Sequence, residues 1–263
     1  MPRFAANLSM MFNERPFLER FDAARTAGFD AVEFLFPYEH KPAEIRARLT
    51  ANGLTQVLFN MPPGDWAAGE RGMAALPGRD AAFRDGVQTA LDYAAALDCR
   101  LLHCMAGIVP ADVPEATAAS LYAMRVAAAA EAASAAGVRI VIEPINQRDM
   151  PGYFLRTQEQ GAAIIDAIGR DRVGLQFDVY HCQVTEGDLT RRMASLMPVI
   201  AHMQIADVPD RHEPGTGEIG WDHVFAQMDA LGYRGWVGCE YRPAGNTEEG
   251  LGWRERFGQK TAS

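Results

Sequence analysis

The sequence predicts a single (β/α)8 barrel, and three observations carry the prediction. Eight apolar, strand-like runs alternate with helix-like segments, and no linker interrupts them. Four of the later runs, VRIVIE, VGLQFD, IAHMQ and GWVGCE, end on an oxygen-bearing side chain: Glu143, Asp178, Gln204 and Glu240. A chain of 263 residues also suits one α/β barrel better than two small domains. The rival, an open doubly wound sheet, accounts less well for polar residues gathered at the C-terminal ends of so many strands.

Taken in order, Arg3–Asn7 reads as the first strand. Pro16 opens an amphipathic helix that Gly28 ends, with Phe17, Phe21 and Ala24 at helical spacing. AVEFLF, residues 31–36, is the second strand, stopped by Pro37. Pro42–Asn52 is a helix with Gly53 as its C-cap, and LTQVLFN is the third strand. Residues 61–78 form a long Gly/Pro-rich loop, and loops of that length in a compact barrel serve the site. Asp80–Leu97 is a helix and RLLHCMAG the fourth strand. Alanine's high helix propensity makes the low-complexity segment 114–136 a helix. After the fifth strand, VRIVIE, Thr157 caps a helix to Ile168, and VGLQFD is the sixth strand. A helix over 188–197 leads to IAHMQ, and one over Trp221–Leu231 leads to the eighth strand, GWVGCEY.

Composition excludes several classes. The net charge of −9, with no Lys/Arg-rich block, argues against a nucleic-acid partner, because backbone binding relies on clustered cations. The opening MPRFAANLSMMF lacks the charged and apolar regions of a signal peptide, and no apolar run reaches membrane-spanning length. The expectation is a cytoplasmic protein with no membrane partner, acting on a small molecule, with a homo-oligomer left open. Cys99, Cys104, Cys182 and Cys239 lack C-x-x-C spacing and read as reduced core thiols.

The chemistry centres on the strand ends. A buried strand that finishes on a carboxylate is costly unless the charge has a use. One such residue could simply face solvent, but four that converge on one barrel mouth suggest a site. Three carboxylates and a neutral amide are hard oxygen donors, better suited to Mg²⁺ or Mn²⁺ than to Zn²⁺. Without a cation, at least one of the carboxyls should carry a raised pKa. His181, in D-V-Y-H just past Asp178, faces the same cavity or serves as a structural histidine. Asp149 and Arg211 lie in the loops after the fifth and seventh strands, as substrate-facing residues or solvated charges. A guanidinium at Arg211 could clamp a substrate carboxylate. His103, inside a strand, reads as core-facing or as a support behind the ligands.

Two loops carry further expectations. GDWAAGERG, residues 64–72, places Trp66 in a lid over a small polar substrate, against the plainer reading of a packed Ω-loop. Gly215–Gly220 spells G-x-G-x-x-G, but HEP separates it from the preceding strand. It reads as turn glycines rather than a dinucleotide fingerprint, with Glu218 orienting an active-site partner.

The blocks RFAANLSMMF, AVEFLFPY, PPGDWAAGERG, ALPGR, IEPIN, QFDVYH, HMQIAD, HEPGTGEI and GWVGCEY resemble those of the hydroxypyruvate isomerase family. That family includes 2-oxo-tetronate isomerases and lies among the xylose-isomerase-like TIM barrels. The resemblance covers essentially the whole chain. It implies Glu143, Asp178, Gln204 and Glu240 as a set for Mg²⁺ or Mn²⁺, and Glu143 with Glu240 as the catalytic acid/base pair. The implied reaction interconverts hydroxypyruvate and tartronate semialdehyde, moving one proton between C3 and C2 through an enediolate. Isomerisation of 2-oxo-tetronates is the alternative. Leu58-Phe59-Asn60 leans that way, because hydroxypyruvate isomerases often show L-H-N there. A ketose 3-epimerase shares the two-glutamate logic. A non-catalytic sugar-acid binder and a DNA-repair endonuclease stand further off, the latter for want of a His-rich site and a basic face.

Overall fold

A computed structural model describes residues 1–257. Its strands are β1 (Arg3–Asn7), β2 (Ala31–Glu33), β3 (Thr55–Gln56), β4 (Leu58–Asn60), β5 (Leu101–His103), β6 (Arg139–Ile142), β7 (Val173–Asp178), β8 (Ile200–Gln204) and β9 (Trp236–Cys239). All pair in parallel, in the order β3-β2-β1-β9-β8-β7-β6-β5-β4. The ends of that order, β3 and β4, are the two halves of the predicted third strand, parted at Val57. The first half pairs with β2 and the second with β5. Across the seam Val57 N donates to Val32 O (2.9 Å) and Asn60 N to Leu35 O (2.8 Å). The ring therefore has eight positions, one of them filled by a strand in two pieces, and the barrel expectation holds.

The helices are α1 (Arg20–Thr26), α2 (Pro42–Asn52), α3 (Asp80–Leu97), α4 (Glu115–Ala135), α5 (Gln158–Ile168), α6 (Val179–Thr185), α7 (Leu189–Leu196) and α8 (Trp221–Ala230). The predicted Pro16–Gly28 helix begins as a 3₁₀ turn over Phe17–Glu19. Gly53 caps α2 in the left-handed region, and the Thr157 side chain accepts from Gln160 N at the start of α5, as expected. Helix α6 was not anticipated: seven residues are too few to show a helical period, and Asp178, read as a strand end, is also its N-cap. A 3₁₀ segment over Glu249–Phe257 was likewise unforeseen. Strands two and four are shorter than expected, ending at Glu33 and His103. No described helix is long and apolar enough to cross a membrane.

Period-two alternation places the site. Phe4, Val32, Phe59, Leu102, Ile140, Ile142, Leu175, Phe177, Met203, Val237 and Cys239 join the large core between barrel and helices. A second, smaller cluster, Ala5, Ala31, Val57, Leu58 and Val141, forms separately with Leu101, Ala201 and Trp236 against it. The alternation then carries inward-facing positions up to Glu33, Asn60, His103, Glu143, Asp178, Gln204 and Glu240. The same parity turns Phe59 outward, where its ring packs on Phe34 and Tyr38. Phe59 is therefore a wall residue and does not touch the cavity. The four cysteines are buried and free.

The base of the 61–78 loop is pinned from α4. The buried Arg125 guanidinium donates to Met73 O (2.8 Å), Ala74 O (3.3 Å) and Leu76 O (2.7 Å), and pairs with Asp80 at 2.8 Å. Gly72, with φ of 115°, lies so close to the Met105 backbone that a Cβ there would collide with it. Arg125→Met leaves those carbonyls without donors in a buried place. It is expected to lower stability by about 3 kcal/mol in denaturant titration, and an unchanged midpoint would show the loop base held by other contacts.

Candidate active site

The inner carboxyls meet at the C-terminal end of the barrel. Glu143, Asp178 and His181 offer ligand atoms within 4.8 Å of one another. Glu240 joins the cluster through Arg211, whose Nη2 lies 2.8 Å from Glu240 Oε1 and 3.6 Å from Asp178 Oδ2. Gln204 Nε2 donates to Glu240 Oε2 and, at 2.8 Å, to Glu33 Oε1, while Gln204 Oε1 accepts from Gln176 Nε2 at 2.6 Å. Glu33 also accepts from Asn7 Nδ2 (3.0 Å) and bonds His202 Nε2 (2.7 Å). Gly238 makes room for it, since a Cβ at that position would strike the Glu33 carboxyl. Residues Asn7, Glu33, Gln176 and His202, which no pattern in the sequence singled out, thus form a polar floor that positions Gln204.

Burial sets the protonation. Glu143 is pushed well above the usual carboxyl range by burial, with the charges of Glu240 and Asp178 adding to the effect. Burial raises Glu240 to about 8, although Arg211 pulls the other way. Asp178 is also raised by burial, against Arg211 and the backbone N–H groups of Tyr180 and His181. Burial opposes the charge on Arg211, yet Glu240 and Asp178 hold its pKa above the ordinary value. His103 is lowered to about 3 by burial, and His181 lies well below its usual value for the same reason, with Arg211 adding to it. Both imidazoles are therefore neutral at physiological pH.

His181 is oriented by Asn146. Backbone N–H and side-chain Nδ2 of Asn146 both approach His181 Nδ1, at 3.5 and 2.7 Å. A backbone N–H can only donate, so Nδ1 accepts and Nε2 carries the hydrogen. Nε2 lies 3.9 Å from Glu143 Oε1 and 3.7 Å from Asp178 Oδ2, and His181 lines the cavity, so its N–H is a donor there. His103 stands closer than expected, with Nδ1 3.6 Å from Glu143 Oε2 and neither ring nitrogen hydrogen-bonded. Nothing in the sequence distinguished it from a core histidine, apart from its parity on β5.

A cavity of about 340 Å³ is lined by His103, Glu143, Asp149, His181, Arg211 and Glu240, with Trp66 and Phe36 also on its wall. Asp149 accepts from the Tyr180 hydroxyl at 2.7 Å and belongs to a hydrogen-bonded loop rather than to the floor. Trp66, 41% exposed, rests 5.1 Å from Phe36. Glu218 is placed otherwise than expected. It is exposed, among the described residues its side chain accepts only from Gln183 Nε2 at 3.4 Å, and it does not line the cavity. The glycine-rich loop around it is instead gathered by Asp207, which accepts from Gly215 N (2.8 Å), Ile219 N (3.1 Å) and Trp221 Nε1 (2.9 Å).

The donor set suits a hard cation. Glu143 Oε1 and Asp178 Oδ2 are buried without a hydrogen-bond partner, an expensive state that a divalent ion would relieve. Gln204 and Glu240 offer further oxygens, now engaged by Gln176 and Arg211.

Known proteins carry the same frame. The model of the xylose isomerase-like TIM barrel family matches residues 21–257. A 2-oxo-tetronate isomerase from Cupriavidus necator is 58% identical over 98% of this chain and 99% of its own. The hydroxypyruvate isomerase of Escherichia coli is 44% identical over 98% of this chain and all of its own. Among solved structures, one named AP endonuclease, family 2, from Brucella melitensis superposes with a TM-score of 0.95, at 50% identity, over 98% of this chain and 99% of that one. With barrel, strand-end carboxyls and near-full-length matches in agreement, the chain belongs to the xylose isomerase-like TIM barrel family, in its hydroxypyruvate isomerase and 2-oxo-tetronate isomerase group.

Proposed function

We propose that the chain is an aldose–ketose-type isomerase of a short 2-oxo acid, interconverting hydroxypyruvate and tartronate semialdehyde. One observation carries the reading: Glu143 and Glu240, two buried carboxyls with raised pKa, face one cavity from β6 and β9. Moving a proton between adjacent carbons needs a group to remove it and a group to return one. Carboxyls shifted toward neutral pH exchange protons efficiently there. Glu143, which lines the cavity from the end of β6, is the group to accept the carbon-bound proton. Glu240, gripped by Arg211 and Gln204, is oriented to deliver one to the neighbouring carbon in the same direction of reaction. The Nε2–H of His181 and the Arg211 guanidinium, both on the cavity wall, are donors for the substrate's oxygens.

Glu143, Asp178, Gln204 and Glu240 would hold Mg²⁺ or Mn²⁺, which when bound supplies positive charge against the negative charge developing on the substrate. Restoring activity on hydroxypyruvate with either ion after chelation tests this. Activity that survives complete chelation counts against it.

A second reading, isomerisation of 2-oxo-tetronates, has the same chemistry one carbon longer. It is favoured by the Cupriavidus relative. An endonuclease reading, suggested by the name of the Brucella structure, asks for a basic face, and this chain carries a net charge of −9.

Trp66 is proposed as the lid's contact with substrate. Trp66→Ala should raise KM and lower kcat together, by about tenfold in kcat/KM. Steady-state constants identical to the parent's would reduce the loop to packing.

A further inference from the structure

We infer that Arg71 and Arg242 form the subsite that takes the substrate's carboxylate, an inference that rests on the acid-isomerase reading above. The cavity has two electrostatic regions. Its floor carries Glu143, Glu240 and Arg211, and Arg211 is committed to Glu240 at 2.8 Å and to the buried Asp178 at 3.6 Å. The sequence made Arg211 the candidate clamp for a carboxylate, but its Nη2 is already turned to Glu240 and Asp178. Arg71 and Arg242 line the same cavity, and among the described residues no carboxylate pairs with either.

Arg71 is held in place without being neutralised. Its Nη1 donates to Trp66 O (3.0 Å) and Glu70 O (2.8 Å), and its guanidinium lies 3.8 Å over the Trp66 ring centre. The adjacent carboxylate of Glu70 does not reach it. That group accepts instead from Arg79 Nη2 and Asp65 N, each at 2.6 Å. Arg242 follows Glu240 by two residues, the spacing that keeps side chains on one side of an extended chain. Its backbone fastens it beside the cavity: Arg242 N donates to Arg211 O at 2.8 Å, and Arg242 O lies 2.7 Å from His212 Nδ1.

A 2-oxo or 2-hydroxy acid carries its carboxylate next to the reacting C2–C3 pair. The two guanidiniums, which no carboxylate among the described residues neutralises, are the positive charge the cavity offers that group. A neutral ketose gives those arginines no charge to hold. They therefore select an acid over a sugar in a barrel whose floor could process both.

Arg71→Met and Arg242→Met, singly and combined, test the subsite with hydroxypyruvate in the presence of the divalent ion. Each is expected to raise KM about tenfold to a hundredfold, with effects that multiply in the double variant and kcat within a few-fold of the parent. Arg71→Lys and Arg242→Lys should recover most of the affinity, because charge is what the subsite supplies. A double Met variant whose KM stays within twofold of the parent overturns the inference, as do Lys variants that are as impaired as the Met variants. If the parent protein turns over no 2-oxo acid, the isomerase reading fails. Calorimetric binding of hydroxypyruvate then decides the subsite separately: affinity lost in the double Met variant supports it, and affinity retained or never present overturns it.

Discussion

Glu143→Gln is expected to lower kcat about a thousandfold, within the range general acid–base groups contribute, while the protein stays folded. Glu240→Gln should do the same. Glutamine keeps the shape of the neutral acid, and burial already drives both carboxyls toward that form. The pH dependence of stability then has a definite sign. The folded pKa of Glu240 is raised to about 8, so the native state binds its proton more tightly than the unfolded chain does. That contribution is fully present below the ordinary carboxyl range near 4.5 and is lost as pH rises through about 8. Thermal melts in chelator should show the parent losing stability across this window and Glu240→Gln losing less. Near-parental turnover in either variant would remove that residue from the proton-transfer pair.

Arg211→Met is expected to be the most destabilising change in the cavity, by about 3–5 kcal/mol at pH 8, because it strands buried carboxylates without their counter-charge. Arg211 is the cation in contact with Glu240 and Asp178, and its side chain is only 11% exposed. At pH 6 the loss should shrink, since Glu240 can then take up a proton instead. Combining Arg211→Met with Glu240→Gln should restore part of the stability, the signature of a coupled pair. Denaturant titrations of the four proteins at both pH values measure this, and a deficit that is independent of pH and of residue 240 would refute the coupling.

Much of this site could be read from the sequence, for a reason specific to barrels. Alternation in four strands fixes which side chains face inward, and an apolar run that closes on Glu143, Asp178, Gln204 or Glu240 announces itself. The same rule, applied to AVEFLF, would have exposed Glu33, and the side-chain-free Gly238 is the matching gap that admits it. Glu33 does not stand out in the sequence, because it lies within an apolar run rather than at its end. Partners were not legible. Arg211 sits on a loop, at φ of 59°, and only the folded chain brings it onto Glu240 and Asp178. For the same reason the sequence points to Glu218 as a site residue, whereas the fold leaves it outside the cavity. Phe59 keeps clear of the cavity, since its parity sends the ring into the wall against Phe34.

The most direct test follows proton transfer itself. The purified protein, stripped with chelator and resupplied with Mg²⁺ or Mn²⁺, is incubated in D₂O with hydroxypyruvate or a 2-oxo-tetronate, and the carbon-bound protons are followed by NMR. The expected result is ion-dependent isomerisation of at least one of these acids, with solvent deuterium entering the carbon that receives the proton. Glu143→Gln and Glu240→Gln should abolish it. Absence of both isomerisation and exchange for every acid, or unchanged rates in the two glutamine variants, would contradict the account.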